Sequence, residues 1–329
     1  MNLQTTRVHT AAKKSGLRPL DKTAIAGTKL MLEELQRHPG VQIVDKLDAA
    51  KHTLGCKTEN GKLRTVVVSP PTYLDWAEPI NEAELVNQDN KPDRLLAVIQ
   101  HLKLMQTLVA HGVKLVIIKP SFECLEGVYT RDIGAVIGDK LIQANMVAAP
   151  RKPEELTITG GIKPPAEVQI EGGNIVVDGN LVFLGIGKRT NAVASGWLQS
   201  ILGNGYEVKP ILLKPDVLHL DCAFSPIARP NGMHWGALIY EDAFMNPKDL
   251  KLFESVYGRL YHIKGGEYTN LGANTLAIDP EVRIIVDGCE TVRNILEKEF
   301  HLKVIPVPLS ELVKAEGAGR CATLPLLRE

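Results

Sequence analysis

The sequence predicts an α/β fold made of repeated units, each a pair of strands, a helix and a further strand. Three observations carry this reading. Short apolar strands broken by acidic or glycine turns recur at Gly134–Gln143, Asn174–Leu184, Gly236–Met245 and Asn274–Val286, each the pattern of a hairpin or close strand pair. Helical stretches follow several of these pairs and lead into another strand. The chain has 329 residues, 44% of them apolar, enough to bury a substantial core without cross-links. Self-similar units that each leave one face uncovered favour radial or stacked repetition.

The elements follow in order. Asp21–His38 carries Ile25, Leu30, Leu32 and Leu35 among helix formers, and Pro39-Gly40 ends it. Asn60-Gly61 marks a turn, and residues 1–60 read as an N-terminal extension of the repeating region, residues 61–329. Helix Asp93–His111 places Leu95, Ile99, Leu102, Met105 and Val109 near one face and stops at Gly112, before strand Lys114–Ile118. Helix Asn191–Leu202 precedes strand Tyr206–Leu213, and helix Glu290–Phe300 precedes strand Leu302–Val307. The apolar run Val217–Phe224 reads as a buried strand.

Charge excludes several functions. With 38 basic and 38 acidic residues, phosphate-led nucleic-acid binding and polybasic membrane binding lack a driving force. No apolar run reaches membrane-spanning length. There is neither a GxGxxG after a strand nor a P-loop. Cys56, Cys124, Cys222, Cys289 and Cys321 are odd in number and contain no CxxC, so a reduced, cytoplasmic setting is expected. Arg7, Lys13, Lys14 and Arg18 precede the first acid, Asp21, a pattern shared by transit peptides and flexible tails; the tail is the expectation here.

Several residues could carry chemistry. Cys321 follows the glycine-rich segment Glu316-GAGR, where Arg320 could favour a thiolate. It is the first candidate nucleophile, with Cys124 and Cys222 behind it. His219 and Asp221 lie two apart in the apolar run, on one face of a strand. A buried acid beside a buried histidine needs a partner or a role. Glu171 is followed by two glycines at a strand start, suited to a crowded, ligand-facing corner, although a plain turn reads the same way. Asp132 lies in Val128-YTRD, and Arg151 and Arg189 stand alone. A thiol with an imidazole suggests covalent catalysis. Three acids suggest a cationic reacting group, and two arginines a carboxylate at the substrate's other end. Arginine has that form.

The order YTRD, EGG, HLD and a C-terminal glycine-cysteine segment, spanning about Leu63 to Glu329, resembles the guanidino-group-modifying superfamily of arginine deiminases, dimethylargininases and amidinotransferases. The resemblance implies the pentein fold, a five-bladed α/β propeller of ββαβ-type units. It implies Cys321 as nucleophile, His219 as general acid and base, and Glu171 orienting His219. Asp132 and Asp221 would grip the guanidinium, and Arg151 and Arg189 the substrate carboxylate. It implies a small guanidino substrate and no metal or organic cofactor, and it allows a homo-oligomer. His-Leu-Asp and the tail Arg320-CATLPLLRE are similar to arginine deiminases, whereas many dimethylargininases carry lysine in place of Asp221. Asp132 favours removal of a single nitrogen, since related dihydrolases carry asparagine there. The chain departs from the pattern in lacking the helical insertion of bacterial arginine deiminases and in having Asn174 where an aspartate is common. The resemblance does not extend to residues 1–60 and assigns them no role. Amidino transfer, dimethylarginine hydrolysis and a non-catalytic binding propeller are the alternatives.

Overall fold

A computed structural model describes residues 16–227 and 236–329. Arg7, Lys13 and Lys14 of the basic N-terminal segment lie outside the described residues. Helix α1 (Lys22–Leu35) begins where the Asp21 carboxylate accepts from the amides of Thr23 and Ala24. Strand β1 (Val41–Val44) follows, and the short β2 (Leu47–Asp48) pairs with β7 (Ile158–Thr159).

One four-stranded sheet is ordered β1-β4-β3-β17, with β3 at Leu63–Val68, β4 at Lys114–Ile118 and β17 at Leu324–Arg328. In it β17 is antiparallel to β3, and helix α2 (Arg94–Ala110) carries the chain to β4, parallel to β3. Three further units repeat that grammar. Strands β8 (Ile175–Asp178) and β9 (Leu181–Ile186) form a hairpin, α3 (Val193–Leu202) follows, and β10 (Glu207–Leu212) returns parallel to β9. The one-turn helix α4 (Leu220–Ala223) opens the next unit. There β11 (Phe224–Ile227) and β12 (Gly236–Ile239) are antiparallel, and α5 (Pro247–Tyr257) leads to β13 (Leu260–His262), parallel to β12. Finally β14 (Leu276–Asp279) and β15 (Val282–Val286) pair, and α6 (Glu290–Lys298) leads to β16 (Lys303–Val307). A shorter unit holds the hairpin of β5 (Gly134–Ile137) and β6 (Lys140–Gln143). In it a 3-10 segment, Ala149–Thr157, replaces the helix, and a single parallel bridge of Ile162 to Ile142 replaces the third strand.

Residues 16–60, set apart by the sequence reading, join these units directly. Helix α1 packs against α2, and β1 extends the four-stranded sheet. Gly55 and Cys56 bridge Leu327 and Gly138, and Glu59 pairs with Arg320. The Asn60-Gly61 turn is therefore a bend within packed structure.

Three local expectations are corrected. Gly236–Met245 is not a hairpin. Beyond β12 it turns through the 3-10 segment Glu241–Ala243, and Met245 donates to the carbonyl of Leu212 at the end of β10. The antiparallel partner of β12 lies upstream, in β11. Val217–Phe224 is buried but is not one strand: Leu220–Ala223 form α4, and Phe224 alone opens β11. Asn174 accepts from the Leu220 amide and Asn274 donates to the Asp221 carbonyl, so side chains replace a ladder there. The expected inward face of α2 is also displaced. Ile99 is 54% exposed, while Ala97, Val98, His101, Leu104, Met105 and Leu108 are buried. The helix is apolar on more than one side because both the main core and α1 cover it; Leu95 lies against Gly27 of α1. Among the described residues, no helix is long and apolar enough to cross a membrane.

Candidate active site

The site is assembled from turns at the ends of the strands. Glu171 caps the 3-10 turn Gly172–Asn174 that enters β8. A Cβ at Gly173 would stand 2.7 Å from the His219 ring and 2.8 Å from Asp132 Oδ1, so only glycine allows this approach. Asn174 is wholly buried, and its Oδ1 accepts the Leu220 amide at 2.9 Å, tying the Glu171 turn to the His219 segment. The position where a family aspartate is common thus serves here as a neutral bracket.

His219 stands just before α4. Its Nε2 donates to Glu171 Oε2 at 2.9 Å, and its Nδ1 lies 3.5 Å from Asp132 Oδ1. Among the described residues, neither that Nδ1 nor that Oδ1 has a hydrogen-bond partner, although both are buried. Burial would push the imidazole down, but the charges of Asp132, Glu171 and Asp221 raise it above its ordinary value. Burial would likewise raise the Glu171 carboxyl, yet the bond from His219 and the nearby Arg189 hold it at about 2. Glu171 also accepts from the Val147 amide at 3.0 Å.

Cys321 is 2% exposed, in the turn before β17. Its sulfur accepts from Asn274 Nδ2 at 3.1 Å and lies 3.8 Å from Asp221 Oδ2. Asn274 Oδ1 accepts from the amides of Arg320 and Cys321, each at 3.1 Å. A hydrogen bond from Cys222 favours the thiolate, but burial and the charges of Asp221 and Asp132 push the thiol above its ordinary value. The sequence reading expected Arg320 to favour the thiolate. Its guanidinium turns instead to Asp221 and to Glu59, the latter at 2.8 Å.

The two arginines differ. Arg151 is fully occupied by acids, with Nη1 on Asp132 Oδ2 at 2.7 Å and Nε and Nη2 on Glu154. Arg189 donates from Nη2 to the Ile80 carbonyl at 3.1 Å, while its buried Nη1 has no hydrogen-bond partner and lies 3.6 Å from Glu171 Oε1. Five of the seven sequence candidates, Cys321, His219, Glu171, Asp132 and Asp221, thus fall into two ligand-like groups. Asp132, Glu171 and His219 form one, and Asp221, Cys222 and Cys321 the other, each with donor atoms within 4.8 Å of one another. The groups are joined electrostatically, since Asp132 acts on Cys321 and Asp221 on His219. Either set could ligate a metal ion, and together they offer the thiol, imidazole and carboxylates that covalent chemistry on a cation needs. Cys124, a second-choice nucleophile, is elsewhere, with its thiol pushed up to about 12 by burial and by Glu154.

The sequence reading missed Asn274 and Glu316. Burial pushes the Glu316 carboxyl up to about 7, near His219 and Arg189. A signal for Asn274 existed, because Asn174 and Asn274 each precede a strand pair in equivalent places of two units. Each turns its side chain to the backbone of a neighbouring site segment.

A thiol and an imidazole sharing buried carboxylates, set among strand-pair–helix–strand units, define a class: the chain belongs to the guanidino-group-modifying superfamily. Within it, residues 239–328 match the family model of arginine deiminase. The chain is 33% identical over 287 residues to the uncharacterized protein YkgA of Bacillus subtilis (strain 168), an alignment covering 85% of this chain and 97% of that one. It is 29% identical over 252 residues to the arginine deiminase of Levilactobacillus brevis, covering 61% of each chain. It therefore spans less than two thirds of that relative's length. Its fold is shared with the N-terminal domain of ArgZ, an arginine dihydrolase of the cyanobacterial ornithine-ammonia cycle (TM-score 0.70, 23% identity, covering 81% of this chain and 98% of that one). The fold is also that of DDAH from Pseudomonas aeruginosa (TM-score 0.65, 20% identity, covering 80% and 99%).

Proposed function

We propose that the protein is a cysteine-dependent hydrolase that converts arginine, or a close guanidino relative, into the ureido product and ammonia. The observation that carries this reading is that buried carboxylates face both reacting groups, with Asp132 Oδ1 3.5 Å from His219 Nδ1 and Asp221 Oδ2 3.8 Å from the Cys321 sulfur. Carboxylates beside a thiol oppose its ionisation, which is a poor arrangement for a nucleophile acting alone. A guanidinium placed between them reverses the balance. Its positive charge offsets their repulsion of a negative sulfur, and the thiolate becomes favourable only when substrate is present.

Asp132 Oδ1, buried and without a hydrogen-bond partner, is the natural first acceptor for a guanidinium N–H. Arg151 holds the other oxygen of Asp132 and so fixes its direction. With the planar cation held, the Cys321 thiol gives its proton to solvent and the sulfur bonds to the guanidinium carbon. The carbon–nitrogen bond then breaks as His219 delivers its proton to the departing amine, and ammonia leaves. Neutral His219 next takes a proton from water, whose oxygen bonds to the carbon of the amidino-thioether. The carbon–sulfur bond breaks, the added hydroxyl gives its proton to the departing sulfur, and the ureido product and the free thiol result. Arginine and water become citrulline and ammonia. Glu171 keeps His219 oriented and favours its protonated form. Arg189, with a buried nitrogen unpaired, is the better candidate to receive the substrate carboxylate. The five repeated units, one of them closed by the C-terminal strand, are on this reading the blades of a pentein propeller.

Incubation with arginine, monomethyl- and dimethylarginine and agmatine, with assays for ureido product, ammonia and methylamine, tests the proposal. Ureido product and ammonia from arginine without any added amine are expected. Release of ornithine only when an acceptor amine is added would replace hydrolysis by amidino transfer.

A further inference from the structure

Arg320 connects the reacting groups to a second buried cluster that the proposed reaction does not use. One nitrogen of Arg320 pairs with Asp221. The other two donate to Glu59, at 3.2 and 2.8 Å. Beside this pair lies an enclosed cavity of about 10 Å³, lined among others by Glu59, Ser225, Thr275, Arg283, Arg320 and Arg328. Arg131 stands 3.8 Å from Glu59. These cations come from distant parts of the chain: Arg131 precedes Asp132, Arg283 lies in β15, Arg320 precedes Cys321 and Arg328 lies in β17.

The cluster is short of negative charge and of acceptors. Arg131, Arg283, Arg320 and Arg328 are each at most 6% exposed. Among the described residues, Glu59 is the one carboxylate lining the cavity, and Asp221 satisfies only the far end of Arg320. Arg283 bonds, among the described residues, to the neutral acceptors Ser225, Thr275, Asn60 and the Pro226 carbonyl, with the charges of Glu59 and Asp178 acting on it without a hydrogen bond. Arg328 spends Nη1 on the carbonyls of Gly61 and Ala277. Among the described residues, its Nε and Nη2 have no hydrogen-bond partner although buried, and Arg328 lines the cavity; the Nε and Nη2 of Arg131, and Asn60 Nδ2, close by but not in the lining, are likewise unpaired. Buried, unpaired guanidinium groups are strongly unfavourable, and orphaned donors add to the cost. Burial, followed by repulsion from neighbouring guanidiniums, pushes Arg131 down to about 10 and Arg283 down to about 9.

We propose that this cavity binds one monoatomic, monovalent anion of halide size. The volume admits a single water-sized occupant and excludes a carboxylate or phosphate. Water would offer lone pairs but no charge. A halide ion accepts from several donors at once and neutralises one of the surplus cations. Because Arg320 touches both Glu59 and Asp221, an occupied site also steadies the carboxylate that faces the nucleophile.

The test uses the full chain. Crystals grown in bromide are measured at the bromine absorption edge. In parallel, the melting midpoint is followed against chloride concentration, with ionic strength held by gluconate, which is too large for the cavity. One anomalous peak inside the cavity and a saturable rise of the midpoint with chloride are expected, since an ion bound only by the folded state stabilises it. The rise should vanish in Arg328→Gln; an undiminished rise in that variant would overturn the assignment. So would occupancy without anomalous signal, which means water. A bromide peak with equal midpoints in chloride and gluconate means an adventitious ion only, and overturns it too. If Arg328→Gln does not fold, the two wild-type measurements decide.

Discussion

Asn274 grips Cys321 at both ends of the residue. Its Nδ2 donates to the sulfur at 3.1 Å and its Oδ1 accepts the Cys321 amide at 3.1 Å. A third bond, from Nδ2 to the Asp221 carbonyl at 3.2 Å, fixes the nucleophile relative to the segment that carries Asp221. Orientation of this kind acts on the chemical step more than on substrate binding. Asn274→Ala is expected to lower kcat by roughly 10- to 100-fold, the worth of one hydrogen bond to a charged group, with KM changed little. Steady-state kinetics on arginine check this, and a loss confined to KM would contradict it.

The Glu171–His219 pair gives a pH signature. Glu171 is held at about 2 against an ordinary 4.5, so its stabilisation is complete above pH 4.5 and is lost as pH falls through about 2. His219 is raised above 6.5, so its stabilisation is complete below that value and is lost as pH rises through the folded value. The two contributions overlap between pH 4.5 and 6.5. Glu171→Gln should remove roughly 3 kcal/mol of the acid-side pH dependence of unfolding, an amount that Arg189 shares with His219. It should also move the alkaline limb of kcat/KM to lower pH, because His219 loses a charge that keeps it protonated. Urea unfolding and rate profiles across pH measure both; superimposable curves for wild type and variant would exclude the coupling.

Asp221 faces the Cys321 sulfur at 3.8 Å and opposes its ionisation. Asp221→Asn should therefore make Cys321 more readily alkylated by iodoacetamide near neutral pH, while turnover collapses for want of a guanidinium ligand. Mass spectrometry of the Cys321 peptide reads the first effect. Slower alkylation than in wild type would show that the carboxylate is not what holds the thiol protonated.

Arg189 and Arg151 should separate in kinetics. Arg189→Ala is expected to raise KM for arginine roughly 10- to 100-fold, in line with loss of a charge-assisted bond, and to affect agmatine much less. Agmatine has no carboxylate. Equal changes for both substrates would remove Arg189 from carboxylate binding.

The sequence made the grammar of the fold legible because the signals were local. Asp93 and Gly112 bracket α2, and the turns at Gly138 and Gly179 sit in backbone conformations that favour glycine. The joint order of YTRD, EGG, HLD and the terminal cysteine pointed to the site residues. What stayed hidden was long-range. Side chains of Asn174 and Asn274 stand in for a strand ladder at Val217–Phe224, so periodicity misread that segment. Composition set residues 1–60 apart, whereas β1 and Glu59 bond to residues far along the chain. Arg151 stood alone in the sequence, although its partner Glu154 lies only three residues on.

The most direct measurement is rapid acid quenching of the protein during turnover of arginine, followed by mass analysis of the Cys321 peptide, with Cys321→Ser assayed alongside. The account predicts an amidino adduct on Cys321 and a folded variant that makes no citrulline. Citrulline production by Cys321→Ser at near wild-type rates, with no adduct on the native peptide, would contradict it.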